Sequence, residues 1–168
     1  LPLKALDVSG KNLRAYAPNR GNEPAAEPIM MGSLFAGIAF SHARLGDVHA
    51  MSHPVSAYFN VAHGVANAIL LPVIVEYNEL ADQGKYYDIY RCVAKAPVPE
   101  AMFYSHMLTE ELRALNMELG IPSCLKDAGV KAEYFDAIAE DAMKSGNISV
   151  NPRSTTKADV VELYKKAF

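Results

Sequence analysis

Between Val48 and Val75 the chain carries no Asp, Glu, Lys or Arg. A charge-free run of that length is compatible with a lipid bilayer or with a protein interior. Hydrocarbon would solvate it poorly, because His49, His53, Asn60, His63 and Asn67 punctuate it and Pro54 and Pro72 interrupt it. A buried helical core with a few polar side chains suits the same residues, and no membrane partner is expected. The whole chain of 168 residues is 51% hydrophobic and 21% charged, far from the composition of disorder and long enough to bury one core. A formal net charge of −3 gives no electrostatic basis for nucleic-acid binding, which needs clustered Lys and Arg.

Helical periodicity surrounds this run. From Pro24 to about Leu45, the residues Ile29, Met30, Leu34, Ile38 and Ala39 recur near helical spacing with Gly32, Ala36, Gly37 and Ala43 between them, which predicts a tightly packed, mostly buried helix. A short helix follows from about Asp47 to Phe59, kinked or limited in its first turns by Pro54. Next comes a central core helix from His63 to about Leu80, apolar nearly all round. Amphipathic stretches at Tyr86–Ala94, Pro99–Leu119, Ser123–Asp127, Ala132–Lys144 and Lys157–Ala167 are separated by Gly or Pro. Thr156 is placed to cap the last of these with Asp159 three positions on, while Gly120 and Gly146 stand where helices end. Residues 1–23 hold two turn-rich clusters and read as an irregular connecting segment, and residues 24–168 read as one helical domain. Alternating strand patterns, internal repeats and heptads are absent, so the expected fold class is all-α, a bundle of about seven helices.

Three of the five histidines, His49, His53 and His63, fall in an H-x3-H-x9-H pattern. On a helix, His49 and His53 share one face, and a turn through Phe59-Asn60-Val61-Ala62 returns His63 to it. Imidazoles brought together in this way suit metal coordination or proton transfer, and hydrogen-bonded core histidines give the same spacing. A zinc-protease site is not met, because His49 is followed by Ala50, Met51 and Ser52 with no Glu to act as base. His42 is expected to make a local hydrogen bond and His106 to lie half-exposed on a helix. Tyr86, Tyr87, Tyr90 and the pair Met30-Met31 read as packing, Arg153 as an anchor of the C-terminal segment or a surface ion pair, and Cys92 and Cys124 as buried reduced thiols.

The runs Gly32-Ser-Leu-Phe-Ala-Gly-Ile-Ala-Phe40, Leu45-Gly-Asp-Val-His49-Ala-Met-Ser-His53-Pro and His63-Gly-Val-Ala-Asn-Ala-Ile-Leu-Leu-Pro72 resemble the iron-containing (group III) alcohol dehydrogenases, nearest to their lactaldehyde reductase and propanediol dehydrogenase branch. Leu119-Gly-Ile-Pro122 and Asn151-Pro-Arg153 extend the resemblance toward the end of the chain. In that family a divalent metal, usually iron(II), is held by one Asp and three His, and the resemblance assigns the last two of these His to His49 and His63. It assigns His53 to the histidine beside metal and nicotinamide, in substrate contact or proton relay; beyond the resemblance, Phe59 and the small residues around Ser56 are expected as pocket walls, Phe59 toward the cofactor. The Asp and the first His would lie on a helix ahead of Leu1, as would the dinucleotide-binding domain, and no G-x-G-x-x-G run occurs here. With Leu1 in place of an initiator Met, the chain is expected to be a fragment, the dehydroquinate-synthase-like helical domain of a two-domain enzyme. Two departures, Ser56 for a common glycine and Ala62 for a usual proline, border the site without removing a ligand.

The resemblance implies a cytoplasmic, homodimeric NAD(P)-linked dehydrogenase of small alcohols or aldehydes. Iron(II) is the expected metal, although His and Asp donors also accept zinc, nickel or manganese. Alone, the chain is expected to bind metal weakly and to be inactive. Two other readings compete: a non-catalytic helical module that mediates oligomerisation, and a metal hydrolase, which the missing general base disfavours.

Overall fold

The computed structural model describes residues 1–168 as eight α-helices, four short 3-10 turns and no strand. The helices are α1 (Pro2–Tyr16), α2 (Glu23–Ala43), α3 (Gly46–Phe59), α4 (His63–Asn78), α5 (Lys85–Val93), α6 (Ser105–Glu118), α7 (Phe135–Met143) and α8 (Lys157–Lys166). The all-α expectation holds. No helix is long and apolar enough to cross a membrane. The chain does not form one block over 24–168: it divides into a first unit of Leu1–Ala43 with Asp82–Leu119, and a second of Arg44–Ala81 with Gly120–Phe168.

In the first unit, the segment expected to be irregular is mostly the helix α1. Pro2 begins it where a missing N–H costs nothing. Gly10, which reads as a turn in the sequence, is instead a point of close approach, since a Cβ there would fall on the carbonyl oxygen of Cys92 in α5. Gly32 does the same for α2, where a Cβ would meet Ser9 Oγ. Arg14 joins the end of α1 to α6 and α5, its guanidinium donating to Glu118 at 2.7 Å, Glu111 at 2.8 Å and the Val93 carbonyl at 2.8 Å. Tyr87 and Tyr90 pack on Phe103 with ring centroids 5.4 and 5.1 Å apart. The mostly buried helix expected over 24–45 is not found: α2 buries only Ala25 and Gly32, while Met30 is 72% exposed and Leu34 57%. Gly32 packs on Ser9 and Ala5 of α1, while Met30, Met31, Leu34, Ile38 and Phe40 point outward.

The second unit holds a contiguous core. Met51 and Val55 from α3, Leu70 and Ile74 from α4, Ile138 from α7 and Val160 and Tyr164 from α8 are each at most 2% exposed. Pro54 lies inside α3 and Pro72 inside α4, both buried. The helix expected at 123–127 is a turn, because Leu125 gives its N–H to the carbonyl of Ala167 at 2.7 Å and its own carbonyl accepts from Val130. Thr156 and Asp159 form a reciprocal capping box at the start of α8, as the sequence predicts. Tyr164 Oη donates to the carbonyl of Met51 at 2.7 Å, and burial pushes its phenol well above the usual range.

Tyr164→Phe removes that donor from a fully buried site and is expected to cost about 1–2 kcal/mol. Urea unfolding at unchanged m-value with unchanged helical circular dichroism checks it.

Candidate metal centre

The second unit also carries the histidine cluster. α3 buries Ala50, Met51, Ser52 and Val55 and turns His49 and His53 to the opposite side. Asn60 ends α3 in the left-handed region at φ 54°, Val61 tucks into the core, and Ala62 at ψ 130° leads straight into α4, whose first residue is His63. The turn therefore folds His63 back on α3 as the spacing predicts. Ring centroids lie 6.1 Å apart for His49 and His53, 5.2 Å for His49 and His63, and 5.1 Å for His53 and His63, the last pair stacked.

The ring nitrogens of two of these residues share one neighbour. His49 Nε2 is 3.2 Å and His63 Nε2 3.1 Å from the same atom, Nδ2 of Asn67. Asn67 stands one helical turn after His63 on α4, and its Oδ1 is buried without a partner. Ser52 Oγ donates to the His49 carbonyl at 3.3 Å and faces His63 Nδ1 at 3.5 Å. Burial lowers the pKa of His49, helped by the imidazoles of His63 and His53, and burial with His63 lowers that of His53. Both rings are therefore biased toward the neutral form, the one with a free lone pair.

No three His, Cys, Asp or Glu side chains are placed to hold a metal by themselves. His49 and His63 fit such a group as two nitrogen donors aimed at one point, and further donors must come from elsewhere. His53 belongs to the cluster through its ring contacts. Phe59 packs its ring 5.6 Å from Tyr134 and 6.2 Å from Tyr58. Ser56 Oγ is buried without a partner. His42 Nδ1 bonds locally, 3.0 Å from the Ile38 carbonyl, and His106 is exposed and stacks on Tyr104.

A polar scaffold fixes the start of α3. Asn151 Oδ1 accepts from the Asp47 N–H at 3.3 Å and from Asn78 Nδ2 at 3.1 Å, while Asn151 Nδ2 donates to Asn78 Oδ1 at 2.8 Å. The reciprocal amide pair clamps the first turn of α3 to the last turn of α4. Asp47, 1% exposed, accepts from Thr155 Oγ1 at 2.6 Å. Burial pushes its carboxyl up to about 6, against the Thr155 hydrogen bond and with a smaller contribution from Asp159. Arg153 anchors the same segment, donating to the Tyr77 carbonyl at 2.8 Å with its guanidinium 3.9 Å from the Tyr77 ring centroid.

Comparison with known proteins places this geometry in a family. The family model of the C-terminal part of Fe-containing alcohol dehydrogenases matches residues 1–168, and the chain belongs to that family. It is 38% identical over 169 residues to the lactaldehyde reductase of Escherichia coli strain K12, covering 100% of this chain and 44% of that protein. It is 35% identical over 167 residues to the 1,3-propanediol dehydrogenase of Citrobacter freundii, covering 99% of this chain and 43% of that protein. The crystal structure of an alcohol dehydrogenase from Oenococcus oeni superposes with a TM-score of 0.92 at 33% identity, over 99% of this chain and 44% of that one. The chain thus spans less than half the length of these relatives.

Asn151→Ala leaves the Asp47 N–H and the Asn78 amide without their shared partner. A loss of about 2 kcal/mol is expected, read by urea unfolding, together with a weakened His49–His63 ring contact seen as altered imidazole chemical shifts.

Proposed function

We propose that this chain is the metal-binding part of an NAD(P)-linked, metal-dependent alcohol dehydrogenase acting on small alcohols or aldehydes. The observation that carries the reading is the convergence of His49 Nε2 and His63 Nε2 on a single atom, 3.2 and 3.1 Å away. Membership of the Fe-containing alcohol dehydrogenase family supports it. His49 and His63 supply two of the metal ligands, with iron(II) the first candidate and zinc, nickel or manganese compatible with the donors. A divalent cation polarises a carbonyl oxygen or acidifies an alcohol while a nicotinamide carries the hydride.

The chain's own residues do the rest. Neutral, half-buried His49 presents a lone pair at near-neutral pH, and the Asn151–Asp47 contact holds its helix in register with α4. His53, exposed and stacked on His63, holds or releases the proton that accompanies reaction at its ring nitrogen. Phe59 and Ser56, on the same helix, are the proposed walls toward substrate and cofactor. We place the enzyme in the cytoplasm as a homodimer. A second reading, a helical module for oligomerisation, draws on the exposed apolar side chains of α2, Met30, Leu34, Ile38 and Phe40.

Metal content separates the two. In the full-length protein purified without oxygen, stoichiometric iron or zinc is expected. His49→Ala and His63→Ala should each lower metal affinity by more than the about 10–100-fold that loss of an outer partner costs. Unchanged metal content in both variants would favour the oligomerisation module.

A further inference from the structure

The amide of Asn67 lies where the lone pairs of His49 and His63 meet. Its Nδ2 is 3.2 Å from one Nε2 and 3.1 Å from the other. An amide nitrogen carries two hydrogens and no acceptor, so it can serve both rings only if both Nε2 atoms are unprotonated. Ser52 accommodates the same state on His63. With its hydroxyl proton on the His49 carbonyl, Ser52 Oγ accepts from His63 Nδ1–H, the tautomer that the Asn67 contact selects. The opposite amide orientation would put Oδ1 between the rings and require both Nε2 atoms protonated, the tautomer that 15N spectra tell apart from this one. The bond pattern has a cost, since Asn67 Oδ1 and His49 Nδ1 are left buried without partners.

We propose that Asn67 is a positioning residue that stands in for the cation. Its two N–H groups hold His49 and His63 in the Nδ1–H tautomer, with both Nε2 lone pairs aimed at one point, and a divalent cation binds by displacing the amide. This rests on the reading of His49 and His63 as ligands. The ring tautomer is set before the metal arrives, by a neutral side chain one turn along α4.

The test begins on the metal-free chain, so it is independent of dehydrogenase activity. Long-range 1H–15N spectra, recorded at a pH where the rings are neutral, are expected to show both His49 and His63 with Nδ1 protonated. Asn67→Ala should convert His49 to a mixture of tautomers while helical circular dichroism stays unchanged as a reporter of the fold. Asn67→Asp places a carboxylate oxygen at the shared point and completes a two-histidine, one-carboxylate donor set. Cobalt(II), followed by its visible absorption, should bind this variant at least about tenfold more tightly than the unsubstituted chain, a difference of about 1.4 kcal/mol. Unaltered tautomers in Asn67→Ala, or cobalt affinity unchanged in Asn67→Asp, overturns the proposal. Either result leaves the dehydrogenase reading standing, whereas absence of metal from the full-length protein overturns that reading and leaves the tautomer result intact.

Discussion

A helix that displays imidazoles on one side needs a rigid anchor on the other, and α3 has one in Tyr164. The Tyr164 hydroxyl bonds the Met51 carbonyl at 2.7 Å inside the core, between the two histidines of α3 and the buried face of α8. Ala50, Met51 and Val55 are wholly buried around it. Asn151 fixes the start of the same helix and the left-handed Asn60 fixes its end. With both ends and the middle held, α3 presents His49 from a fixed scaffold, and the turn at Asn60 brings His63 to it.

Much of this was legible in the sequence, for identifiable reasons. The charge-free run suits helices built into a protein core, and Asn60 with the residues after it marks its turn, so α3 and α4 fall within about two residues of their expected bounds. The histidine cluster followed from the i, i+4 spacing. What was not legible depends on contacts between distant residues. Gly10 reads as part of a turn until the Cys92 carbonyl is found against it. Leu125 reads as helical until its N–H is seen bonded to Ala167. The amide pair of Asn78 and Asn151 joins residues 73 positions apart and leaves no local trace. Asn67 differs from these, for it lies four residues after His63, the spacing that flagged His49 and His53, yet reads only as a polar interruption of an apolar run.

The one acid of α3 is committed elsewhere. Asp47 turns its carboxylate to Thr155, and its proton affinity is raised by burial rather than by the histidines. The candidate centre is consequently a nitrogen-only donor set among neutral groups, built on a unit whose ion pairs lie at its exposed margins, such as Lys166 beside Glu76. The first unit distributes charge differently, with Arg14 drawing Glu111 and Glu118 onto a single guanidinium.

The charge-free run has one more consequence, for how the molecule comes apart. A protease that cuts after Lys or Arg finds neither from Leu45 to Gly84. Digestion of the unfolded chain therefore releases α3 and α4 as one peptide carrying His49, His53, His63 and Asn67 together. Asn151 and Thr155, cut off by Lys144, Arg153 and Lys157, leave in two others. Covalently the imidazoles stay together, while the residues that hold their helix in place do not stay with them.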